Sequence, residues 1–387
     1  MPQLPHRAPI RPLRENRAPN GPRDHLAGNR FQRLAALPEH GAIAVNSLPY
    51  IDADTLTSLL SWAQAIDALE QFLRTGVDLA GAPPRGAVPT AHGELLLMSA
   101  ESAEAVGFKL VSVAPDNPDI GLPRIQALYA LLDAPTLTPR VLVDGTALTS
   151  LRTPALSALA ASRLAVADAR TLTVFGAGPQ ARAHVHALSS VRPVERVRIV
   201  ARNADRAAKL AAQLSEEGFP ATAGTADSVR TADIVVCATT SSVPVFDGSL
   251  LADQACVLAV GSHHPDRREL DERVFARAER IVVEERAAAL REAGDVILAM
   301  EIGACAADDL IDVAELMVLP PSSGLSVFKS VGMGWEDLVV AEAAYARWLG
   351  PAKASEERSS ETVITSATTA RRQWSTVRTD GGKGWCR

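Results

Sequence analysis

The sequence is poor in cysteine, and the four cysteines among its 387 residues are scattered along the chain. None has the CxxC or Cys/His spacing of a metal site, so neither a disulfide framework nor a bound metal is expected. Long apolar runs are absent too: no stretch of about 18 uncharged apolar residues occurs, which argues against a membrane-spanning helix. The N-terminus also lacks the apolar core of a signal peptide, and a cytoplasmic protein with no membrane partner is expected.

Lysine is scarce as well, with five among the 39 basic residues. A lysine inside an apolar stretch, such as Lys109, therefore stands out. The formal net charge is −6, and no long basic stripe crosses the segments that we expect to fold. Nucleic acid is thus not expected as a partner, and a small molecule is. Hydrophobic residues make up 47% of the sequence, enough apolar material for a globular core.

The length predicts two domains between terminal extensions. Residues 1–40 are rich in Pro and Arg, and residues 352–387 are rich in Ser, Thr and Arg. Neither segment has an apolar face, so both are predicted to be disordered. For the first of them, a targeting or acid-binding arm is the alternative interpretation.

Between these extensions the apolar pattern changes once. Residues 41–150 show a helical pattern over 56–73 and then short strand patterns, which predicts an α+β domain. From 151 to 317 strands and helices alternate, as in parallel βαβ units. The segment 318–351, with a helix over 336–348, is assigned to the first domain because it comes too late for the nucleotide fold. The predicted strands of the first domain are 94–99, 105–115, 125–133 and 141–143, and a helical segment is predicted over 287–317.

A glycine-rich turn follows the first strand of the alternating region. Gly176, Gly178 and Ala181 form a Gly-x-Gly-x-x-Ala motif that opens a helix, the context in which this motif binds a dinucleotide. Gly176 permits the tight turn, Gly178 lets the backbone approach a pyrophosphate, and Ala181 allows close helix packing. The helix N-terminus then offers free N–H groups to the phosphates. A turn that binds nothing is the alternative.

The end of the second strand distinguishes the two nicotinamide cofactors, because an acidic residue there would bind the ribose 2′-hydroxyl of NAD. The sequence has Ala201, Arg202 and Asn203 at this point, with Arg206 close behind. Arginine suits a 2′-phosphate, so NADPH is the predicted cofactor and NADH the alternative. A solvated loop arginine is the other interpretation of Arg202.

Four further residues are candidates for substrate chemistry. Lys109 lies in an apolar strand pattern, where burial beside a cofactor would make it a proton donor or a charge partner; a strand-edge lysine that points to water is the alternative. Arg85 and Arg152 are of the type that holds a carboxylate through paired hydrogen bonds. His263 follows a strand of the nucleotide fold, at the edge where ligands bind, although adjacent histidines on a loop are more often polar surface.

Taken together, these segments resemble the ornithine cyclodeaminase/μ-crystallin family from about residue 48 to residue 350. Four motifs in the right order carry the resemblance: Leu151-Arg-Thr-Pro-Ala155, Gly176-Ala-Gly-Pro-Gln-Ala181, Gly261-Ser-His-His-Pro-Asp-Arg-Arg-Glu-Leu-Asp271, and Val327-Phe-Lys-Ser-Val-Gly332 followed by Glu336-Asp-Leu338. The resemblance implies an α/β fold with a Rossmann dinucleotide-binding domain and a discontinuous α+β substrate and dimerisation domain. It also implies a homodimer.

The motifs and the resemblance together predict roles for individual residues. Lys109 and His263 are the expected catalytic residues, and Lys109 is also expected to contact substrate together with Arg85, Arg152 and Val331. The expected cofactor contacts are Arg152, Gly176, Gly178, Pro179, Gln180, Ala201, Arg202, Asn203, Thr240, Val260, Arg267 and Ser330.

One departure from the family pattern bears on the reaction. Cyclodeaminases carry Gly-Gly-Asp-Cys-Pro, in which the aspartate does acid/base work, and the matching position here is His263. That difference points to the family's ketimine reductases, so we expect NADPH-dependent reduction of Δ1-pyrroline-2-carboxylate or Δ1-piperideine-2-carboxylate to the cyclic amino acid. Ornithine cyclodeamination and an alanine or opine-type amino-acid dehydrogenase are the enzymatic alternatives. A protein that binds NADPH and a small ligand without turnover is the third.

Overall fold

The computed structural model describes residues 48–350. Both predicted extensions, 1–40 and 352–387, lie outside the described residues. In the part of the chain that is described, no helix is long and apolar enough to cross a membrane.

The first sheet has six strands, and along the strands over 93–101 and 105–113 the side chains alternate between a buried inner face and an outer face. The alternation follows from the two-residue repeat of a strand. Neighbouring strands are antiparallel except for the parallel pair at one edge. The strands are β1 (Tyr50–Ile51), β2 (Gly86–Thr90), β3 (Gly93–Glu101), β4 (Ala105–Val113), β5 (Ile125–Asp133) and β6 (Pro139–Asp144), in the spatial order β1-β6-β5-β4-β3-β2.

The helical pattern predicted over 56–73 is two helices, α1 (Ala53–Leu59) and α2 (Trp62–Arg74). Ser61 separates them because its side chain accepts a hydrogen bond from the Gln64 N–H, while the Gln64 side chain accepts one from the Ser61 N–H. This capping box satisfies N–H groups that a helix N-terminus leaves free. A local polar contact thus divides one continuous apolar helical pattern into two helices.

The second sheet has eight parallel strands, which confirms the predicted Rossmann-type α/β fold. Four of its strands, over 171–175, 234–237, 256–259 and 326–329, are buried throughout, as is usual for a parallel sheet covered on both faces. The strands are β7 (Thr171–Phe175), β8 (Arg196–Val200), β9 (Ala221–Ala223), β10 (Ile234–Cys237), β11 (Cys256–Ala259), β12 (Arg280–Val283), β13 (Leu310–Asp312) and β14 (Ser326–Lys329), in the spatial order β13-β12-β14-β11-β10-β7-β8-β9.

Helices connect these strands and cover the sheets. They are α3 (Gly145–Leu164), α4 (Pro179–Ser189), α5 (Ala204–Glu216), α6 (Glu272–Arg277), α7 (Arg286–Glu292), α8 (Gly294–Glu301), α9 (Val313–Leu316) and α10 (334–350).

Two predictions about the end of the nucleotide fold hold only in part. The segment 287–317, predicted to be helical, contains most of α7 and all of α8 and α9, but also the strand β13, which pairs with β12. The segment 318–351, assigned to the first domain, contributes β14 to the middle of the second sheet, between β11 and β12. Strand patterns of three or four residues are too short to show a period, and their pairing partners decide their conformation. The other predicted domain boundaries stay predictions.

Two long helices bring the sheets together. Helix α3 is buried over most of its length and contacts β5 of the first sheet and β11 and β14 of the second. Helix α10 begins against β3, since a Cβ added to Gly334 would lie 2.5 Å from the Ser99 carbonyl oxygen. Helix α3 therefore contacts both sheets, and α10 begins beside the first.

Candidate active site

The glycine-rich turn after β7 has the geometry of a phosphate site. Gly176 has φ +120°, and an added Cβ would lie 2.5 Å from the Ala238 carbonyl oxygen, so only glycine fits. An added Cβ at Gly178 would meet no atom of residues 48–350 within 4 Å, which leaves open space in front of α4. Pro179 is the first residue of this helix, and no side chain in the described part of the chain caps its N-terminus. The free N–H groups and the open space fit a dinucleotide pyrophosphate.

The turn after β8 presents an unpaired arginine. Ala201 is half-buried and Arg202 is exposed, and the Arg202 guanidinium has no ion pair or hydrogen bond with any residue from 48 to 350. Asn203 caps α5, because its Oδ1 accepts a hydrogen bond from the Arg206 N–H at 3.0 Å. Asn203, which is predicted to contact the cofactor, therefore also caps a helix.

The remaining predicted cofactor contacts follow other strands of the same sheet. Thr240 is exposed after β10, Val260 is half-buried after β11, and Arg267 is exposed on the loop beyond it. Ser330 comes directly after β14 and is buried. Because the strands are parallel, these turns lie at one edge of the sheet with Gly176 and Gly178, which is where ligands of open α/β sheets bind. The Gln180 side chain contacts α3, where its Nε2 donates to the Thr149 carbonyl oxygen at 3.4 Å.

Lys109 is at the centre of a buried charge cluster. Its side chain on β4 is only 2% exposed, and its Nζ lies 2.7 Å from Asp337 Oδ2. The same ammonium donates hydrogen bonds to Asp337 Oδ1 at 2.9 Å and to Thr149 Oγ1 at 3.0 Å. The alternative of a strand-edge lysine pointing to water is wrong. Burial lowers the pKa of Lys109 to about 8, although Asp337 opposes the shift.

Arg152 lies on α3 beside the same carboxylates. Its Nη1 donates to Glu336 Oε2 at 2.6 Å and its Nε to Asp337 Oδ1 at 3.2 Å. Burial opposes the charge of the guanidinium, but Glu336 and Asp337 outweigh that cost and raise the pKa of Arg152. Its Nη2 faces Gly332, where an added Cβ would lie 2.9 Å away. Arg152 is thus a permanent cation with one amino group directed at the segment after β14.

Arg85 approaches that segment from the first sheet. Its Nη2 donates to the carbonyl oxygens of Val331 at 2.8 Å and Gly332 at 3.1 Å. Its Nε is buried and has no partner among the described residues. A buried N–H without a partner costs free energy unless a ligand satisfies it. Three predicted substrate contacts, Arg85, Arg152 and Val331, are therefore brought together around residues 331 and 332.

His263 is half-buried on the loop that follows β11, with its ring centroid 4.5 Å from that of His264. Burial, Arg85 and His264 together lower the pKa of His263 to about 3. The imidazole is therefore neutral at physiological pH and adds no positive charge to the site. A neutral ring can still accept or pass on a proton through its two nitrogens.

Sequence reasoning missed the carboxylates that organise the site, although Glu336 and Asp337 occur in one of the motifs. Both interrupt an otherwise apolar run, Trp335-Glu-Asp-Leu-Val-Val-Ala341, as Glu284 does after β12. It also missed Lys329, a fully buried lysine whose Nζ lies 2.6 Å from the Ser262 carbonyl oxygen and 2.9 Å from Asp295. Charged residues in apolar runs were the available signal, because such residues are buried only when paired.

The comparisons with known proteins agree with this geometry. A sequence profile of the Ornithine cyclodeaminase/mu-crystallin family matches residues 51–352. A Delta(1)-pyrroline-2-carboxylate reductase from Bacillus cereus is 34% identical over 296 residues, covering 73% of this chain and 90% of that protein. The structure of the Thermococcus litoralis Delta(1)-pyrroline-2-carboxylate reductase with NADH and L-proline superposes with a TM-score of 0.73 at 30% identity, over 78% of this chain and 98% of that one.

A second solved structure, an archaeal alanine dehydrogenase dimer with bound NAD, superposes with a TM-score of 0.72 at 27% identity, over 78% of this chain and 96% of that one. The profile, the relatives and the phosphate-binding turn lead to the same assignment. The chain belongs to the ornithine cyclodeaminase/mu-crystallin family.

Proposed function

We propose that this chain reduces Δ1-pyrroline-2-carboxylate or Δ1-piperideine-2-carboxylate to the cyclic amino acid with NADPH. The observation that carries the proposal is a buried group of three cations, Lys109, Arg85 and Arg152. Arg85 donates to the carbonyl oxygen of Val331, which follows β14 at the edge of the dinucleotide sheet where ligands bind. The broader prediction of a nicotinamide-dependent oxidoreductase acting on C=N bonds is confirmed by the relatives.

The cofactor would be held by the turn of Gly176 and Gly178 and by the N-terminus of α4. When bound, the nicotinamide supplies the hydride for the imine carbon. Arg202 supports the choice of NADPH, since its guanidinium is exposed and unpaired at the end of β8, where the ribose of a dinucleotide lies in this fold. Residues 201–203, which follow β8, include no carboxylate that could bind a 2′-hydroxyl.

The substrate carboxylate would be oriented by two arginines. Arg85 offers its unpartnered Nε, and Arg152 offers Nη2 beside Gly332. Paired N–H donors match the planar geometry of a carboxylate. Lys109 would hold a proton for the imine nitrogen, because its lowered pKa of about 8 makes the ammonium a better acid than an ordinary lysine while it stays protonated at neutral pH.

The proposal is tested by following the absorbance of the reduced nicotinamide with both cyclic imines and with each cofactor. Turnover that prefers NADPH supports the assignment. Ornithine with NAD tests cyclodeamination, and pyruvate with ammonia tests amino-acid dehydrogenation. Ammonia release from ornithine without imine reduction would contradict the proposal, and tight NADPH binding without turnover of any substrate would indicate a binding protein.

The homodimer implied by the family has a candidate surface on the outer face of the first sheet. Leu97, Leu110 and Leu128 lie opposite one another on β3, β4 and β5, and each is at least 40% exposed. A contiguous apolar face of this kind is typical of a protein interface. We propose that a second copy of the chain covers it.

Light scattering after size exclusion tests this assembly. We expect twice the chain mass for the unaltered protein and the single-chain mass for Leu110→Asp, because a buried unpaired carboxylate is costly at an apolar interface. Val318→Asp is the matched control, since Val318 is exposed and lies in neither sheet. A dimer that persists in Leu110→Asp would place the interface elsewhere.

A further inference from the structure

Glu269 is a fully buried carboxylate at the end of the loop that carries His263 and Arg267. Its Oε1 accepts hydrogen bonds from the Thr239 N–H at 2.7 Å and from the Thr239 hydroxyl at 2.6 Å. Its Oε2 accepts one from the Gly261 N–H at 2.7 Å. Thr239 follows β10 and Gly261 follows β11, so one carboxylate joins the turns after two neighbouring strands.

These two turns and the carboxylate are packed without space for another atom. A Cβ added to Gly261 would lie 2.2 Å from the Thr239 carbonyl oxygen and 2.5 Å from Glu269 Oε1, so only glycine fits there. The missing side chain lets both groups approach the Gly261 backbone. Gly261 and Glu269 belong to one sequence motif, and Glu269 has no role in the proposed function.

A second buried carboxylate, Asp295, holds the backbone of Glu269. Its Oδ1 accepts a hydrogen bond from the Glu269 N–H at 2.6 Å, and its Oδ2 lies 2.9 Å from Lys329 Nζ. Lys329 in turn donates to the Ser262 carbonyl oxygen at 2.6 Å. Because Lys329 is the last residue of β14, the network also reaches the end of a third strand.

The groups around the Glu269 carboxylate match an anion. They are two N–H groups and the Thr239 hydroxyl, which itself accepts a hydrogen bond from the Ser241 N–H at 3.1 Å. Burial raises the pKa of Glu269, and Asp295 reinforces this shift. Lys329 and the hydrogen bonds from Thr239 oppose it. Because a buried carboxylate is costly without its donors, the turns after β10 and β11 are held together.

The three strand ends belong to one half of the dinucleotide sheet. Strands β7, β8 and β9 lie on one side together with the phosphate-binding turn, and β10, β11 and β14 follow in order on the other side. A dinucleotide spans both halves of such a sheet, with one mononucleotide on each. With the adenosine ribose of the proposed cofactor beside Arg202 after β8, its nicotinamide half lies against the turns that Glu269 joins.

We propose that Glu269 positions the nicotinamide half of the cofactor by fixing the turns after β10 and β11 to each other. These turns carry the predicted cofactor contacts Thr240 and Val260, and the loop that Glu269 closes carries His263. Glu269 acts through these residues and is a positioning residue. The inference rests on the proposed function for the substrate and for the choice of NADPH, but the nicotinamide group is common to both cofactors.

Glu269→Gln separates this role from a general loss of stability. The amide can present its oxygen to only one of the two turns, and its NH₂ group then faces an N–H group of the other. The cofactor must then order the turns itself, so the Kd for NADPH, measured by titration calorimetry, should rise about tenfold or more. The Kd for adenosine 2′,5′-bisphosphate, which fills only the adenosine half, should stay within about twofold.

Two further comparisons accompany this variant. Glu301→Gln is the same change at an exposed glutamate on α8, and it should bind both ligands as the wild type does. Thr239→Val keeps the shape of the side chain but removes the hydroxyl that binds Glu269, so it should raise the Kd for NADPH about threefold or more. Thr239→Ser keeps the hydroxyl and should bind NADPH as the wild type does. The Thr239 variants also provide the test if Glu269→Gln fails to fold.

The pattern of affinities decides the proposal. Equal weakening of NADPH and adenosine 2′,5′-bisphosphate binding in Glu269→Gln would show a general structural role and overturn the proposal, as would unchanged binding of both. If the wild type turns over no imine but the selective loss of NADPH affinity is observed, the proposed function fails and the role of Glu269 stands. If the wild type prefers NADH, NADH and ADP are compared instead, and the same selective loss is expected.

Discussion

Replacing Lys109 with Met should lower kcat/KM for the cyclic imine by about a hundredfold or more, the usual contribution of a positioned general acid. Methionine keeps an unbranched apolar side chain that reaches the Cε position and removes the ammonium that lies 2.7 Å from Asp337 and 3.0 Å from Thr149. Lys209→Met is the matched control, because Lys209 is exposed on α5 and should leave kcat/KM unchanged. Both variants are assayed through the absorbance of the reduced nicotinamide.

The role of Lys109 as proton donor can also be tested with the unaltered protein, through the pH dependence of kcat/KM. Because the pKa of Lys109 is lowered to about 8, the ammonium is lost above that pH, and kcat/KM should fall about tenfold for each further pH unit. Stability should change in the opposite direction. The unfolded lysine keeps its proton up to 10.5, so the unfolded state binds more protons between pH 8 and 10.5, and the free energy of unfolding rises with pH there.

The size of that stability change follows from the two pKa values. The difference between 10.5 and about 8 corresponds to on the order of 3 kcal/mol for this buried side chain. A kcat/KM that stays flat from about pH 7 to about pH 10, or a Lys109→Met variant that keeps its activity, would refute the assignment of Lys109 as the proton donor. Because the pH profile uses the unaltered protein, the test survives if the variant fails to fold.

Three further outcomes are expected. Arg202→Ala should raise KM for NADPH by about 10- to 100-fold and leave KM for NADH unchanged, since only the 2′-phosphate contact is lost; equal effects on both cofactors would contradict that contact. Gly176→Ala should abolish dinucleotide binding measured by nicotinamide fluorescence, because the new Cβ would lie 2.5 Å from a backbone oxygen. Gly218→Ala is the control: Gly218 is also at positive φ but in open space, so this variant should bind the dinucleotide normally. Lys329→Met should lower the free energy of unfolding in urea by about 3–5 kcal/mol, because Asp295 is left as a buried charge without its partner; a loss under about 1 kcal/mol would show that the pair contributes little.

Local patterns in the sequence determined several elements of this protein. The strand predicted over 125–133 is β5 with the same bounds, because β-branched and apolar residues between turn formers suffice to indicate a strand. The phosphate-binding turn could be recognised in the same way, since the roles of Gly176 and Gly178 depend on φ and on the missing Cβ at single positions. Such features need only a few adjacent residues.

Tertiary structure decided the partners of the buried charges. Lys109 and Asp337 form an ion pair across 228 positions of the sequence, and Arg152 and Glu336 form one across 184. No local pattern predicts which carboxylate a lysine meets, or whether the lysine is buried or points to water. The same holds for β14, whose four residues become a central strand because β11 and β12 lie on either side of it. Residue types indicated the chemistry, but burial, pairing and the lowered pKa of Lys109 arise only when distant segments pack together.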